Sequence, residues 1–212
     1  MENAFSHIQE RLLVDALCAW EHPRFGRRFI AIGNVGVFYA SRQPPVVPDM
    51  LLSLDVTPPA DLWEKAGRSY FISEYGKPPD VVVEIVSNAK GGEEDPDGKL
   101  GIYGRMKVEH YIVYDPGQQT GSEPLRVYAL EHDRLVRTHE TWFEDIGLGV
   151  TLWRGKFQGW EATWLRWCDR DGAVIPTSEE RAEAERARAE AERERAERLA
   201  ARLRAAGIDP DA

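Results

Sequence analysis

A glutamate interrupts the most strand-like stretch of the sequence. Residues 80–87 read Asp-Val-Val-Val-Glu-Ile-Val-Ser, a continuous apolar run typical of a central strand that is buried on both faces. A buried carboxylate without a partner costs several kcal/mol or stays protonated, so Glu84 requires a metal ion, a basic side chain or a functional reason. Asp80 shares a strand face with Glu84 but lies about 13 Å from it, too far to chelate the same ion.

A second acidic residue opens another apolar strand. Asp49 follows Pro48 and precedes the apolar segment 50–54. If this strand neighbours the strand of Glu84, the two carboxylates can converge on a divalent cation, because Mg²⁺ takes one or two protein carboxylates together with waters and phosphate oxygens. Lys99 begins a predicted helix after the following loop. Its ammonium can neutralise a scissile phosphate or help to orient the attacking water.

Structural explanations remain open for the acidic residues. Asp49 and Asp80 each follow a proline, and an aspartate in that position often accepts backbone hydrogen bonds as a strand begins. Glu84 can instead form an ion pair with Arg105 or Lys107. These alternatives need no ligand and no catalysis.

The basic and aromatic residues have structural explanations as well. Lys99 can be an ordinary exposed lysine at a helix start. Tyr103, one helical turn later, can be a core residue with a satisfied hydroxyl, or it can orient Lys99. Four tryptophans are more typical of a packed strand edge or a dimer face than of a base-stacking platform: Trp153, Trp160, Trp164 and Trp167.

The sequence lacks the signatures of several other classes of site. Its histidines show no HxH or HExxH spacing, and it contains neither a GxSxG elbow nor a glycine-rich phosphate loop, so no nucleotide cofactor is expected. The two cysteines, Cys18 and Cys168, lie far apart and predict free thiols in a reducing cytoplasm. No long apolar run or secretory pattern occurs, so we expect a cytoplasmic protein with no membrane partner.

The remaining pattern predicts an α+β domain, α/β-like in character, with a mixed central sheet and few helices. Apolar residues at helical spacing predict a first helix over residues 5–22. The next segment predicts two strands, 29–32 and 35–39, joined by a tight turn at Gly33-Asn34. Later elements are a helix over 99–107, a strand over 109–115, a hairpin over 125–140 and an aromatic-rich edge strand over 160–168.

The composition changes abruptly at Thr177. Residues 177–180 read Thr-Ser-Glu-Glu, a capping box, and residues 178–206 contain eight Glu and eight Arg among alanines. We therefore predict a first domain over 1–176, a charged helical tail over 177–206 and a disordered end over 207–212. Small apolar residues that repeat every seven positions form a seam that permits only a weak coiled coil. A solvated single helix and a dimer-assisting coiled coil therefore both remain open. The seam consists of Ala182, Ala189, Ala196 and Leu203.

The net charge of −9 argues against a protein that coats nucleic acid through bulk electrostatics. It is compatible with an enzyme that gathers carboxylates around a divalent cation, because the metal reverses the local field. A DNA-facing patch is expected from four arginines near the predicted tight turn: Arg24, Arg27, Arg28 and Arg42.

In these residues the chain resembles the Uma-type restriction endonucleases, a bacterial branch of the PD-(D/E)xK nuclease superfamily. The resemblance covers nearly the whole chain and rests on short motifs in a characteristic order. These are Val47-Pro48-Asp49, residues 79–87, Asp95-x-x-x-Lys99-x-x-x-Tyr103, Glu109 to Pro116, Trp164 to Trp167, the Ala/Glu/Arg helix and Gly207-Ile208-Asp209-Pro210. In one departure from the superfamily pattern, Val86 occupies the usual lysine position, and the family resembled uses a lysine displaced to the following helix.

The resemblance implies a restriction-endonuclease-like fold and a metal-dependent nuclease site. Asp49 and Glu84 would be the ligands of Mg²⁺ or Mn²⁺, and Lys99 would be the catalytic lysine. Asp80 would be an accessory acidic residue, and Glu10 on the first helix would be a further carboxylate. Apart from the resemblance, Tyr103 is expected to be an accessory residue that could orient Lys99.

Two hypotheses about function follow. The first is an endonuclease that hydrolyses DNA phosphodiester bonds, acting as a homodimer. The second is a catalytically inactive protein of the same fold, which binds partners or self-associates through the tail helix and the tryptophan-rich edge.

Overall fold

The apolar segment around Glu84 forms the middle of the largest sheet. The chain is described here from a computed structural model that covers residues 4–18, 20–21, 26, 28–61 and 63–206. The helices are α1 Ala4–Cys18, α2 Lys65–Arg68, α3 Ile72–Tyr75, α4 Lys99–Met106 and α5 Ser178–Ala205. The strands are β1 Phe29–Gly33, β2 Val37–Phe38, β3 Met50–Leu54, β4 Tyr70–Phe71, β5 Val81–Ile85, β6 His110–Tyr114, β7 Leu125–Glu131, β8 Arg134–Thr138, β9 Trp142–Phe143, β10 Leu148–Phe157 and β11 Trp160–Cys168.

The central sheet is mixed and has six strands in the order β1-β3-β5-β6-β7-β8. β5 is antiparallel to β3 and parallel to β6. Helices flank the sheet, and α5 follows it in the sequence. The predicted α+β class, with a restriction-endonuclease-like mixed sheet and a C-terminal Ala/Glu/Arg-rich helix, is confirmed.

Apolar cores cover both faces of the central sheet, which explains why every residue of β5 is buried. Val83 points into one core, which includes Leu13 of α1. Val82 points into the other, which includes Tyr103 of α4. Because side chains alternate along a strand, Glu84 shares the face of Val82 and lies on the α4 side of the sheet.

The two strands predicted on either side of Gly33-Asn34 both form, but they do not pair with each other. The prediction that the tight turn joins them into a hairpin is therefore wrong. β1 pairs antiparallel with β3, and the short β2 pairs parallel with β4. The backbone N–H of Asn34 donates to the carbonyl oxygens of Pro48 at 3.2 Å and Asp49 at 3.3 Å. The backbone that a hairpin turn would use thus binds the segment that leads into β3.

Helix α1 is anchored to β11, the predicted edge strand, which forms one edge of a three-stranded sheet. Gln9 is fully buried; its Nε2 donates to the Leu165 carbonyl at 2.9 Å, and its Oε1 accepts from the Leu165 N–H at 2.9 Å. The amide therefore completes backbone hydrogen bonds that an edge strand leaves open. This docking also determines where the next residue, Glu10, is placed.

The tail forms a capped helix, as its composition predicts. The Thr177 hydroxyl accepts from the Glu180 N–H at 3.2 Å, and the Glu180 carboxylate accepts from the Thr177 N–H at 2.7 Å, which completes the capping box. None of the residues of α5 is buried. The chain divides into two compact units, Met1–Ile175 and Pro176–Ala212, and the predicted disordered end over 207–212 lies outside the described residues.

Cys18 and Cys168 are both free thiols, as predicted. Among the described residues, no helix is both long and apolar enough to cross a membrane.

Candidate active site

Three secondary-structure elements bring Asp49, Glu84 and Lys99 together. β3 pairs with β5 so that Met50 lies opposite Val83, and the same antiparallel register places Asp49 beside Glu84. Lys99 is the first residue of α4, the helix that covers this face of the sheet. The expected neighbourhood of the two acidic strands is therefore present.

Asp49 joins the two strands at the point where their pairing ends. Its Oδ2 accepts a hydrogen bond from the backbone N–H of Ile85 at 2.5 Å. This N–H would otherwise be an unpaired donor beyond the last pair of the β3–β5 ladder. Asp49 thus accepts a backbone hydrogen bond, as the structural alternative expected, but from a strand 36 positions away and not from its own turn.

Glu84 is 1% exposed and both of its carboxylate oxygens are engaged. Lys99 Nζ donates to Oε2 at 2.6 Å, and Tyr103 Oη donates to Oε1 at 2.6 Å. The two partners lie one helical turn apart on α4, which explains how a single helix reaches both oxygens. The proposed partner Lys107 pairs with Asp133, and the basic partner of Glu84 is Lys99.

Burial dominates the electrostatics of this pair. Removal from water is the largest cause and raises the pKa of Glu84, the Lys99 ammonium opposes this shift, and the nearby charge of Asp49 adds to it. The net result is a pKa of about 8. Burial lowers the pKa of Lys99, but the charge and hydrogen bond of Glu84, together with the charges of Asp49 and Glu93, raise it by more, so the pKa of Lys99 is raised overall. The lysine therefore remains a cation held against a carboxylate of high proton affinity.

Tyr103 is fully buried, and burial together with the charge of Glu84 raises the pKa of its hydroxyl well above its usual value. The hydroxyl stays protonated and acts as a donor to Glu84. Its hydrogen bond favours the ionised carboxylate and so lowers the pKa of Glu84. Tyr103 therefore reaches Glu84 directly and reaches Lys99 only through that shared carboxylate.

Asp80 lies at the other end of β5 from Ile85. Both of its carboxylate oxygens accept from Lys77 Nζ at 2.7 Å, and Oδ2 also accepts from the backbone N–H of Leu54 at 2.7 Å. These contacts fasten the end of β3 to the start of β5. The structure does not bring Asp80 to the Glu84 carboxylate.

Glu10 is linked to the Asp49 segment through Asn34, a residue of the predicted tight turn. Asn34 Nδ2 donates to Glu10 Oε2 at 2.7 Å, while the Asn34 backbone binds the carbonyl of Asp49. A Cβ at Gly33 would lie 2.1 Å from Glu10 Oε1, so a side chain there would displace the Glu10 carboxylate from its present position. In the sequence, Gly33-Asn34 indicated only a turn. The residues that this turn contacts, Glu10 and Asp49, could not be predicted from the sequence.

The four predicted DNA-facing arginines do not form one described patch. Arg24 and Arg27 lie outside the described residues. Arg28 pairs with Asp55 at 2.7 Å, at the end of the β1–β3 pair remote from Asp49. Arg42 is exposed in the turn between β2 and β3, on the chain segment that leads into Asp49.

The donor set at the site suits a hard divalent cation. Asp49 and Glu84 supply carboxylate oxygens, the ligand type that Mg²⁺ and Mn²⁺ prefer, and two carboxylates match the number that Mg²⁺ usually takes from protein. In the part of the chain that the structure describes, no group of three or more His, Cys, Asp or Glu side chains has the geometry to hold a metal. A cation here would therefore have two protein carboxylates, Asp49 and Glu84, as its ligands.

The mixed central sheet flanked by helices is that of a restriction-endonuclease-like fold. The Uma2 family model, described as "Putative restriction endonuclease", matches residues 2–150. The chain belongs to this family. No curated protein matches the sequence.

Proposed function

We propose that this protein is a metal-dependent endonuclease that hydrolyses DNA phosphodiester bonds. The observation that carries the proposal is the grouping of Asp49, Glu84 and Lys99 at one end of the β3–β5 pair, with Lys99 Nζ 2.6 Å from the buried Glu84 carboxylate. Family membership supports the same reading. Burying the Glu84 carboxylate costs stability even beside the partly exposed Lys99 ammonium, which favours a functional reason for the pair.

Asp49 and Glu84 would hold Mg²⁺ or Mn²⁺ in this proposal. When bound, such an ion lowers the pKa of a bound water and stabilises negative charge on the phosphate. Lys99 is a cation with 34% of its side chain exposed, so its ammonium can donate to a phosphate oxygen at the surface. Tyr103 holds the Glu84 carboxylate in place from the buried side.

Contact with DNA would be local, since the net charge of −9 opposes binding over a broad surface. Arg42, exposed in the turn before β3, would bind a phosphate near Asp49 in this proposal. Arg24 and Arg27 remain part of the proposed DNA contact. Arg28 is paired with Asp55 and would contribute less.

Cleavage assays test the proposal directly. We expect the protein to convert supercoiled plasmid or single-stranded DNA to shorter products with Mn²⁺ or Mg²⁺, and we expect a chelator to stop the reaction. Asp49→Asn keeps the shape of the side chain but removes a ligand charge, so it should lose cleavage. Asp133→Asn changes an exposed aspartate of the β7–β8 turn and is the matched control. Metal-independent cleavage, or none by the intact protein, would contradict the proposal.

Self-association through α5 is a second proposal that stands whether or not the site is active. The helix has no buried residue, and it presents the alanine and leucine seam beside ion pairs such as Arg193–Glu197 at 3.1 Å. Two copies can pack these seams together, although small seam residues give weak coils.

Light scattering during size exclusion tests the role of the tail. We expect the intact chain to form a homodimer and a chain that ends at Thr177 to be monomeric. The unfolding temperature should be nearly unchanged, because residues 1–175 form a compact unit of their own. Equal masses per particle for the two chains would show that α5 does not drive assembly.

A further inference from the structure

Three buried tyrosines form a row that runs away from Glu84. Tyr103 of α4, Tyr111 of β6 and Tyr128 of β7 are at most 6% exposed. Ring centroids are 5.0 Å apart between Tyr103 and Tyr111, and 5.8 Å apart between Tyr111 and Tyr128. Each hydroxyl donates to a different acceptor, so the row forms hydrogen bonds at three separate positions of the chain.

The acceptors of the row are Glu84 and the loop that follows β5. Tyr103 donates to Glu84 Oε1, Tyr111 donates to the Glu93 carbonyl at 2.9 Å, and Tyr128 donates to Glu94 Oε1. Residues 86–98 connect the strand of Glu84 directly to the helix of Lys99. The tyrosine row therefore fastens this connection at its middle.

A buried arginine holds the same point of the loop. Arg126 of β7 is 3% exposed, and its Nε lies 2.8 Å from Glu94 Oε2. Its Nη1 lies 3.7 Å from Asp115 Oδ2, and Asp115 is fully buried. Its Nη2 and Nη1 donate hydrogen bonds to the Thr120 hydroxyl and the Glu123 carbonyl oxygen, both at 2.7 Å. Glu94 thus binds a preorganised cation and not a mobile surface arginine.

The loop has little else to hold it. Within residues 87–98, all of which the structure describes, no side chain is buried. Helix α4 begins after Gly98, which has no side chain to cap it. The segment turns through Asp95, which accepts from the N–H groups of Asp97 and Gly98, and it crosses α4 so closely that a Cβ at Gly101 would lie 1.7 Å from the Pro96 carbonyl oxygen.

We propose that Glu94 is a positioning residue: clamped by Arg126 and Tyr128, it fixes the 86–98 loop and thereby holds the Lys99 ammonium against Glu84. Its consequence for cleavage rests on the proposed nuclease function, whereas its consequence for the loop does not. Loss of the clamp leaves β5 and the core intact but releases the start of α4. A displacement of about 1 Å at a catalytic group can cost a hundredfold in rate.

Two variants separate the clamp from general stability. Glu94→Gln removes the charge that pairs with Arg126, and Tyr128→Phe removes only the hydroxyl that donates to Glu94. The matched control is Glu123→Gln, which breaks the exposed pair of Glu123 with Arg137 in the same hairpin and leaves the loop untouched. Hydrogen–deuterium exchange measures the loop, and the rate of acylation of Lys99, followed by mass spectrometry, measures its pairing with Glu84.

We expect both clamp variants to exchange about tenfold faster in peptides that cover residues 93–99, with no change in β10 and β11. Lys99 should be acylated faster, because a lysine released from its carboxylate is more accessible. On DNA, kcat should fall about tenfold at unchanged KM, since positioning and not binding is lost. The control should match the wild-type protein in all three measurements.

The proposal is overturned if exchange in residues 93–99 and acylation of Lys99 are unchanged in both variants. It is also overturned if Tyr128→Phe, the milder change, speeds exchange uniformly over the whole domain, because Glu94 would then support the fold in general. Faster loop exchange in a protein whose wild type does not cut DNA supports the clamp and contradicts the nuclease proposal. The two proposals therefore fail separately.

Discussion

Replacing Lys99 with Met should reduce DNA cleavage by at least about a hundredfold while Mn²⁺ binding persists. Removing one group that stabilises charge in the transition state typically costs a factor of about 100 to 1,000 in kcat. Met keeps an unbranched apolar stem like that of lysine, so the first turn of α4 should retain its packing. Single-turnover cleavage at saturating Mn²⁺ measures the chemical step, and calorimetry measures the metal.

The matched control for this variant is Lys107→Met. Lys107 caps the other end of α4 and pairs with the exposed Asp133, so its replacement removes the same charge from the same helix away from Glu84. We expect it to cut DNA at the wild-type rate. If Lys99→Met cuts as fast as Lys107→Met, Lys99 has no part in catalysis and serves only as the partner of Glu84.

Replacing Glu84 with Gln should abolish Mn²⁺ binding and cleavage together. Gln keeps the shape of the side chain and can still accept a hydrogen bond from Tyr103, but it carries no charge for the cation. Calorimetric titration with Mn²⁺ checks the result, with Glu131→Gln at the exposed end of β7 as the control. Undiminished Mn²⁺ binding by Glu84→Gln would place the metal elsewhere.

The pH dependence of the same titration follows from the burial of Glu84. Its pKa is raised to about 8 in the folded protein, so below that pH the carboxyl holds a proton that the metal must displace. The Kd for Mn²⁺ should fall about tenfold for each pH unit up to about 8 and then level off. Binding that does not change between pH 6 and about 8 would contradict the role of Glu84 as a ligand.

In the metal-free protein, the contribution of Glu84 to stability should decrease as the pH rises, whereas Mn²⁺ binding should strengthen. The pKa of Glu84 is higher in the folded state than its usual value of 4.5, so between the two values the folded state binds more protons than the unfolded state. This contribution is fully present at low pH and is lost as the pH rises towards about 8. The unfolding free energy of the wild type minus that of Glu84→Gln should therefore decrease between pH 4.5 and about 8.

The sequence by itself determined the elements and the identity of the candidate residues. The apolar run around Glu84 predicted a strand buried on both faces, and β5 is buried throughout. The capping box at Thr177 predicted the start of α5 to the residue. These features depend on residues a few positions apart, because helix caps, strand alternation and helical spacing are local properties of the chain.

Only the tertiary structure decided which of these residues meet. The sequence left Arg105, Lys107 and a metal as possible partners of Glu84, whereas the packing of α4 on β5 brings Lys99 to it. It predicted a hairpin at Gly33-Asn34, whereas the turn binds the backbone before β3.

The pairing of Glu94 with Arg126 and Tyr128 left no signal in the sequence at all. Such pairs form only when separate strands and helices pack together. Their distances are set by the register of strands and the docking of helices over the whole domain, and no local preference of the chain encodes them.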